Sequence, residues 1–136
     1  MSMQTSLNVM SIRREAGGPI ERSRILMYGA TENVVLQATA SAPNLVGVSD
    51  RHIRYSGSAP CNPEGIVEGQ DVDCLVGGDV VVLFGANPPA YGEPVKPDAQ
   101  GRATRAASGD IAIGTCESPA AEGFDGRVRI RIHEVS

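Results

Sequence analysis

The side chains whose types and spacing could perform chemistry are few: His52 and His133, the aspartates Asp71, Asp73 and Asp79, and the arginines Arg127, Arg129 and Arg131. A catalytic pair of histidines needs a nucleophile or a third orienting group. The chain has no GxSxG or HExxH pattern to supply one. His133, inside RIRIHEV, is expected on the arginine face of a strand. The three aspartates invite a calcium reading, because hard cations want several oxygen ligands. Their spacing departs from the EF-hand loop, and Asp71 and Asp73 read better as a charged strand edge that discourages strand addition. Gly77, Gly78 and Gly85 lack the lysine and hydroxyl of a phosphate loop. The sequence therefore predicts no catalytic residue, no bound metal and no cofactor.

The arginines are more specific. In an extended strand alternate residues share a face about 6.5–7 Å apart, so Arg127, Arg129 and Arg131 form one row while Val128, Ile130 and Ile132 face the core. A row of like charges repels itself unless acids oppose it. Those acids sit either on neighbouring strands or on another chain. Lys96 is the only lysine in the sequence, and every other basic residue is arginine. Codon usage in a GC-rich genome explains that bias as readily as a preference for arginine at interfaces. The segment 87–91, Asn-Pro-Pro-Ala-Tyr, reads as a stiff surface loop or as a polyproline segment for an aromatic groove.

A chain of 136 residues makes one domain with a genuine core. Its net charge of −4 argues against general nucleic-acid binding. With three tyrosines, two phenylalanines and no tryptophan, a base-stacking platform is not expected. Cys61, Cys74 and Cys116 form no CxxC pair, which excludes a zinc ribbon or a thioredoxin-type motif and suggests buried free thiols in a reducing compartment. No window approaches the roughly 18 apolar residues needed to span a bilayer, and no signal peptide is evident. A soluble, non-exported protein without membrane contact is expected.

Sixteen glycines and nine prolines break the chain every few residues, which suits short strands and turns. Residues 1–20 are polar and end in Gly17-Gly18-Pro19, so they are expected to form an extended N-terminal arm ahead of a single β-rich domain over 21–136. Strands are expected at 25–28, 33–39, 45–48, 51–55, 72–76, 79–84, 111–115 and 127–135. Gly77-Gly78 is expected to close a hairpin. The run Val80-Val81-Val82-Leu83-Phe84 does not alternate and is expected to be covered on both faces, either between sheets or by another subunit. Four prolines between 87 and 101 argue for an extended loop there, and 103–107 is expected to form at most a helical turn. Residues 25–30 resemble 81–86, and 45–49 resemble 112–116, an echo that reads as two related β-motifs or as chance, each half placing a glycine where a strand bends or packs close to another backbone. The fold class is all-β, a small β-sandwich or jelly-roll. Its expected core holds Val80, Val82, Phe84, Ile111, Ile113, Val128, Ile130 and Ile132.

Across 72–134, a Gly-Asp-Val-Val-Val-Leu strand is followed by a Val-Lys-Pro-Asp-Ala-x-Gly-Arg-Ala loop, an Ala-Ile-Gly-Thr strand and a closing Val-Arg-Ile-Arg-Ile strand. This succession resembles the capsid cement, or head decoration, proteins of tailed bacteriophages. The resemblance implies a structural virion protein that is assembled in the host cytoplasm, binds the outside of the major capsid protein lattice and reinforces it against internal DNA pressure. Such a protein covers seams of a symmetric lattice, so self-association is expected, a homodimer first and a trimer as the alternative. Arg13 and Arg14 on the arm, with Arg127, Arg129 and Arg131, are the expected partner-binding residues. The competing class is a cupin-like β-barrel with a buried ligand, for which two distant histidines are a poor metal set.

Overall fold

The computed structural model describes residues 9–50 and 65–136. His52, Cys61, the expected strand at 51–55 and the first eight residues of the expected arm lie outside the described residues. Twelve strands are present: β1 (Met10–Ala16), β2 (Ile20–Glu21), β3 (Ile25–Tyr28), β4 (Val34–Gln37), β5 (Leu45–Ser49), β6 (Gly65–Ile66), β7 (Asp71–Gly77), β8 (Asp79–Leu83), β9 (Pro94–Pro97), β10 (Ala103–Arg105), β11 (Ile111–Ser118) and β12 (Asp125–Glu134). The fold is all-β, as the density of glycine and proline predicts; among the described residues there is no helix.

Strands β1, β4, β3, β5 and β7 close into a barrel, and a second sheet runs β10-β9-β11-β12-β8. Each half buries what alternation assigns to it. Leu26, Val35, Val46, Val72 and Cys74 fill the barrel, while Ile25, Leu45 and Val48 point outward to meet Val80, Val82, Phe84, Val95, Ile113, Cys116 and Val128 of the second sheet. Strand β5 serves both cores and is buried at all five positions. Such a strand must be apolar on both faces, and Leu45-Val46-Gly47-Val48 is. The run at 80–84 behaves differently: Val80, Val82 and Phe84 are buried, but Val81 and Leu83 are only half-buried on the opposite face.

Several sequence expectations give way to the tertiary structure. Residues 10–16 are not part of an arm: β1 pairs antiparallel with β7 and parallel with β4, completing the barrel. Its polar look arises because only one face is covered; Ile12 and Ala16 pack inward. Gly77-Gly78 closes no hairpin, since β7 pairs with β1 and β5 whereas β8 pairs with β12. At φ 87° Gly78 turns the chain from the barrel into the second sheet, a left-handed conformation that glycine adopts without strain. The proline-rich stretch contains β9, held between β10 and β11. Pro94 and Pro97 lie at its two ends, so the missing donors fall where the ladder is finishing. Residues 103–105 are strand rather than turn because they pair along β9.

Ile132 is 44% exposed instead of buried. The register explains it: Ala112 faces His133 and Gly114 faces Ile130, so two steps on β11 match three on β12. The extra residue is a β-bulge, which shifts side chains to the other face. His133 consequently leaves the arginine face for the side of Ala112, with Nδ1 2.7 Å from the Arg131 carbonyl oxygen. Ile111 and Ile130 are partly buried against the core, and the other five expected core residues are fully buried.

The turn at 98–102 locks the two halves together. The Asp98 carboxylate accepts from the Gln100 and Arg102 amides at 2.9 Å and from Arg102 Nε at 2.8 Å. The turn so fixed offers the Gly101 carbonyl to the Ile25 amide at 2.7 Å and the Gln100 carbonyl to Arg24 Nη1 and Gln37 Nε2. A hydrogen bond from the Leu83 amide to the Ser23 carbonyl adds a second tie.

Cys74 and Cys116 are free and buried, as expected of cysteines used as small apolar residues. Burial pushes the Cys74 thiol up to about 12. Burial also raises Cys116, with the neighbouring Glu117 and Glu93 carboxylates adding to the effect. At pH 8 only roughly one Cys74 in ten thousand would be thiolate. In a Cys61→Ser variant, iodoacetamide at pH 8 should therefore modify neither thiol in the folded protein and both in denaturant. Rapid native-state labelling of Cys74 would contradict the packing described here.

Candidate interaction face

Strand β12 projects its outward side chains beside those of β8 and β11. Directly opposed residues share a face, so the pairings Asp79 with Arg129, Val81 with Arg127 and Leu83 with Asp125 define one surface, extended by Thr115 opposite Arg129. On it Arg129 is the paired member of the arginine row: its Nε lies 3.0 Å from Asp79 Oδ1 and its Nη2 3.6 Å from Glu117 Oε1. Those two carboxylates hold its guanidinium firmly charged, Asp79 first through its hydrogen bond. Arg127 and Arg131 have no ion pair among the described residues. Arg129 is answered by acids on neighbouring strands, as the first reading of the row expects at that position.

Arg13 and Arg14 sit on β1, far along the chain from that row. Arg13 Nε is 3.3 Å from Asp73 Oδ1. Arg14 donates through Nε to the Glu32 carbonyl and through Nη1 to the Arg13 carbonyl, both at 2.9 Å. The acidic triplet is divided by the same topology: Asp71 and Asp73 belong to the barrel and Asp79 to the second sheet. Among the described residues no three His, Cys, Asp or Glu side chains converge as metal ligands.

The segment 87–91, read from the sequence as a stiff surface loop or a polyproline segment, ends in an exposed aromatic. Tyr91 is 73% exposed, yet the segment carrying it is firmly held. The Glu93 amide donates to the Ala90 carbonyl at 3.0 Å, and the Ala90 amide donates to Glu93 Oε1 at 2.7 Å. Gly92, at φ 81°, occupies the corner that requires a left-handed residue. Gly92 and Glu93 then pair with Cys116 of β11 at 2.8 and 2.9 Å, and Arg105 Nε holds Glu93 Oε1 at 3.0 Å. Ala-Tyr-Gly-Glu was the available signal: a tyrosine before a turn glycine, with a carboxylate able to reach back.

The fold has a solved counterpart. The head fiber gp8.5 N base of bacteriophage phi29 superposes with a TM-score of 0.61, covering 94% of this chain and 98% of that one at 12% sequence identity, a likeness of fold. No curated protein matches the sequence. The sequence profile of the phage structural cement proteins (E217 gp24/Pam3 gp6) matches residues 2–133. The all-β architecture and the near-complete span of that match agree with the phrases read across 72–134: this chain belongs to the phage structural cement protein family.

Proposed function

We propose that this capsid cement protein acts without catalysis, from the exterior of the head, by binding the major capsid protein and bridging adjacent subunits. Family membership supports the capsid association; the outward face of β12, where Arg127 and Arg131 have no ion pair among the described residues, is the observation that carries the mode of binding. Arginine suits this role because its planar guanidinium pairs with carboxylates through two donors at once. Arg13, well exposed on β1, and Arg14 beside it are a second cationic contact in this reading. Individually weak contacts become effective when a self-associated protein engages several subunits together. A homodimer is the favoured assembly, because a two-fold needs only one self-complementary patch, and a trimer is the alternative. Incorporation follows synthesis in the host cytoplasm.

Purified protein added to heads that lack it tests the proposal. Wild type should bind and raise the temperature at which the heads release DNA. The triple change of Arg127, Arg129 and Arg131 to serine should fold normally and bind at least about tenfold more weakly, since each charge-assisted contact contributes roughly 1 kcal/mol or more. An arm contribution is tested by removing residues 2–8, because a longer deletion would take β1 out of the barrel. Triple-serine protein that binds and protects heads as well as wild type would remove the arginine face from the proposal.

A further inference from the structure

We infer that the outer edge of β1, with residues 1–9 that lead into it, pairs antiparallel with the same segment of a second copy across a two-fold axis. The inference rests on the self-association in the reading above and names the surface that performs it. β7 pairs with β1 from Met10 to Glu15, but β4 meets β1 only at Glu15 and Ala16. The N–H and C=O groups of successive strand residues alternate between its two sides. The Glu15 amide points to the β4 side, where it donates to the Asn33 carbonyl at 2.9 Å. Ser11 and Arg13 therefore turn theirs to that same side, where no strand pairs with them among the described residues. Of these groups the Arg13 carbonyl is taken by Arg14 Nη1, at 2.9 Å. Met10, Ser11 and Arg13 are all exposed. An open edge of this kind is a template for another strand.

The residues upstream have the composition of a strand. Residues 1–12 are the longest run in the chain without glycine, proline or charge, and the next longest, 33–42, holds β4. They alternate cleanly: Met1, Met3, Thr5, Leu7 and Val9 fall on one face, Ser2, Gln4, Ser6 and Asn8 on the other. Val9 packs against the core between barrel and second sheet, whereas Ile12 packs inside the barrel. Those are the opposite faces that a strand gives to residues three apart. The segment cannot fold back along its own β1 without a tight turn at Val9. That residue is held against the core and, being β-branched, is unsuited to the positive φ of hairpin turns. A second copy brings the matching strand. With odd residues opposite odd, Met3, Thr5, Leu7 and Val9 of both copies share one face, and both open edges are covered at once. No charged residue precedes Arg13, whose own charge is met by Asp73 at 3.3 Å.

Sedimentation equilibrium of the full-length protein, run alongside co-sedimentation with heads that lack it, tests the inference. Wild type should dimerise. Ser11→Pro removes an N–H from the open side and leaves the β7 ladder intact, a place where an edge strand tolerates proline. It should keep the wild-type circular dichroism spectrum and raise the dimer Kd at least about thirtyfold, because both copies lose a bond. Changing Met3 and Leu7 together to serine should weaken the dimer about as much, by stripping the apolar face. Changing Gln4 and Ser6 together to alanine, on the polar face, should stay within about threefold of wild type. Equal effects of the two double changes would overturn the strand, since only period two separates them. A dimer unchanged by Ser11→Pro would place the two-fold elsewhere and overturn the edge. A monomeric wild type overturns the second copy; if Ser11→Pro then also loses heads, a capsid strand takes the edge instead. Wild type that dimerises as described yet fails to bind heads would remove the capsid-binding reading and leave this inference standing.

Discussion

Replacing Gly114 by alanine should be among the most damaging single changes in this protein, lowering stability by about 4 kcal/mol or more. Gly114 lies in β11, opposite Ile130 of β12 and Val95 of β9. A Cβ there would overlap the Arg129 carbonyl oxygen and crowd its carbon. Those atoms are backbone, held in the ladder on both sides, and cannot rotate away as a flexible side chain could. The strand pairing itself must open, and with it the core beneath. Gly109→Ala is the matched comparison. Gly109 adopts φ 90° but has open space around its Cβ position, so only the left-handed backbone is penalised, by about 1–2 kcal/mol. Thermal or urea unfolding of both variants checks the ranking. Similar losses for the two would mean that the close approach of β11 to β12 is wrong.

Val82→Asp should be comparably severe, again about 4 kcal/mol or more. Val82 is fully buried in the core between barrel and sheet, and a carboxylate there has no cation to meet. One residue earlier the outcome should reverse. Val81 points to the outer surface opposite Arg127, where an aspartate gains an opposite charge across the strand and should change stability by no more than about 1 kcal/mol. The pair distinguishes a run covered on both faces, as the unbroken apolar sequence suggests, from the one-sided strand found. Soluble yield and melting temperature suffice: Val81→Asp unfolding as readily as Val82→Asp would restore the doubly covered strand.

Much of the architecture is local, and so it is legible in the residues alone. Alternation across 126–130 announces a strand with an arginine face, and the alternation of Val80, Val82 and Phe84 is real even though five apolar letters hide it. The Pro-Asp-Ala-Gln-Gly-Arg phrase encodes its own turn, since Asp98 bonds to amides two and four residues on and Gly101 supplies the φ of 75° that the turn needs. Gly47 and Gly114, noticed as an echo between two short runs, are both places where a Cβ would collide with a neighbouring carbonyl. The echo stops there: β3 pairs with β5, whereas β8 and β11 are separated by β12.

What sequence could not supply depends on which strands meet. Nothing in residues 10–16 announces that they close a barrel, because partners at 34–35 and 71–77 are long-range and a strand with one exposed face looks like any polar segment. The destination of the chain after Gly77-Gly78 is equally non-local: the same two glycines suit a hairpin or a passage between sheets. The bulge that turns Ile132 outward and removes His133 from the arginine face is a mismatch between two strands, so it belongs to neither alone. The candidate site shows the same division. Residue type and period two put Arg127, Arg129 and Arg131 in a row, but only pairing with β8 and β11 determines that Arg129 is neutralised by Asp79 and Glu117 while the other two have no ion pair among the described residues, and only docking of the 88–93 turn onto β11 fixes where Tyr91 stands. Local periodicity is a property of the chain; electrostatic and steric partners are a property of the sheet it builds.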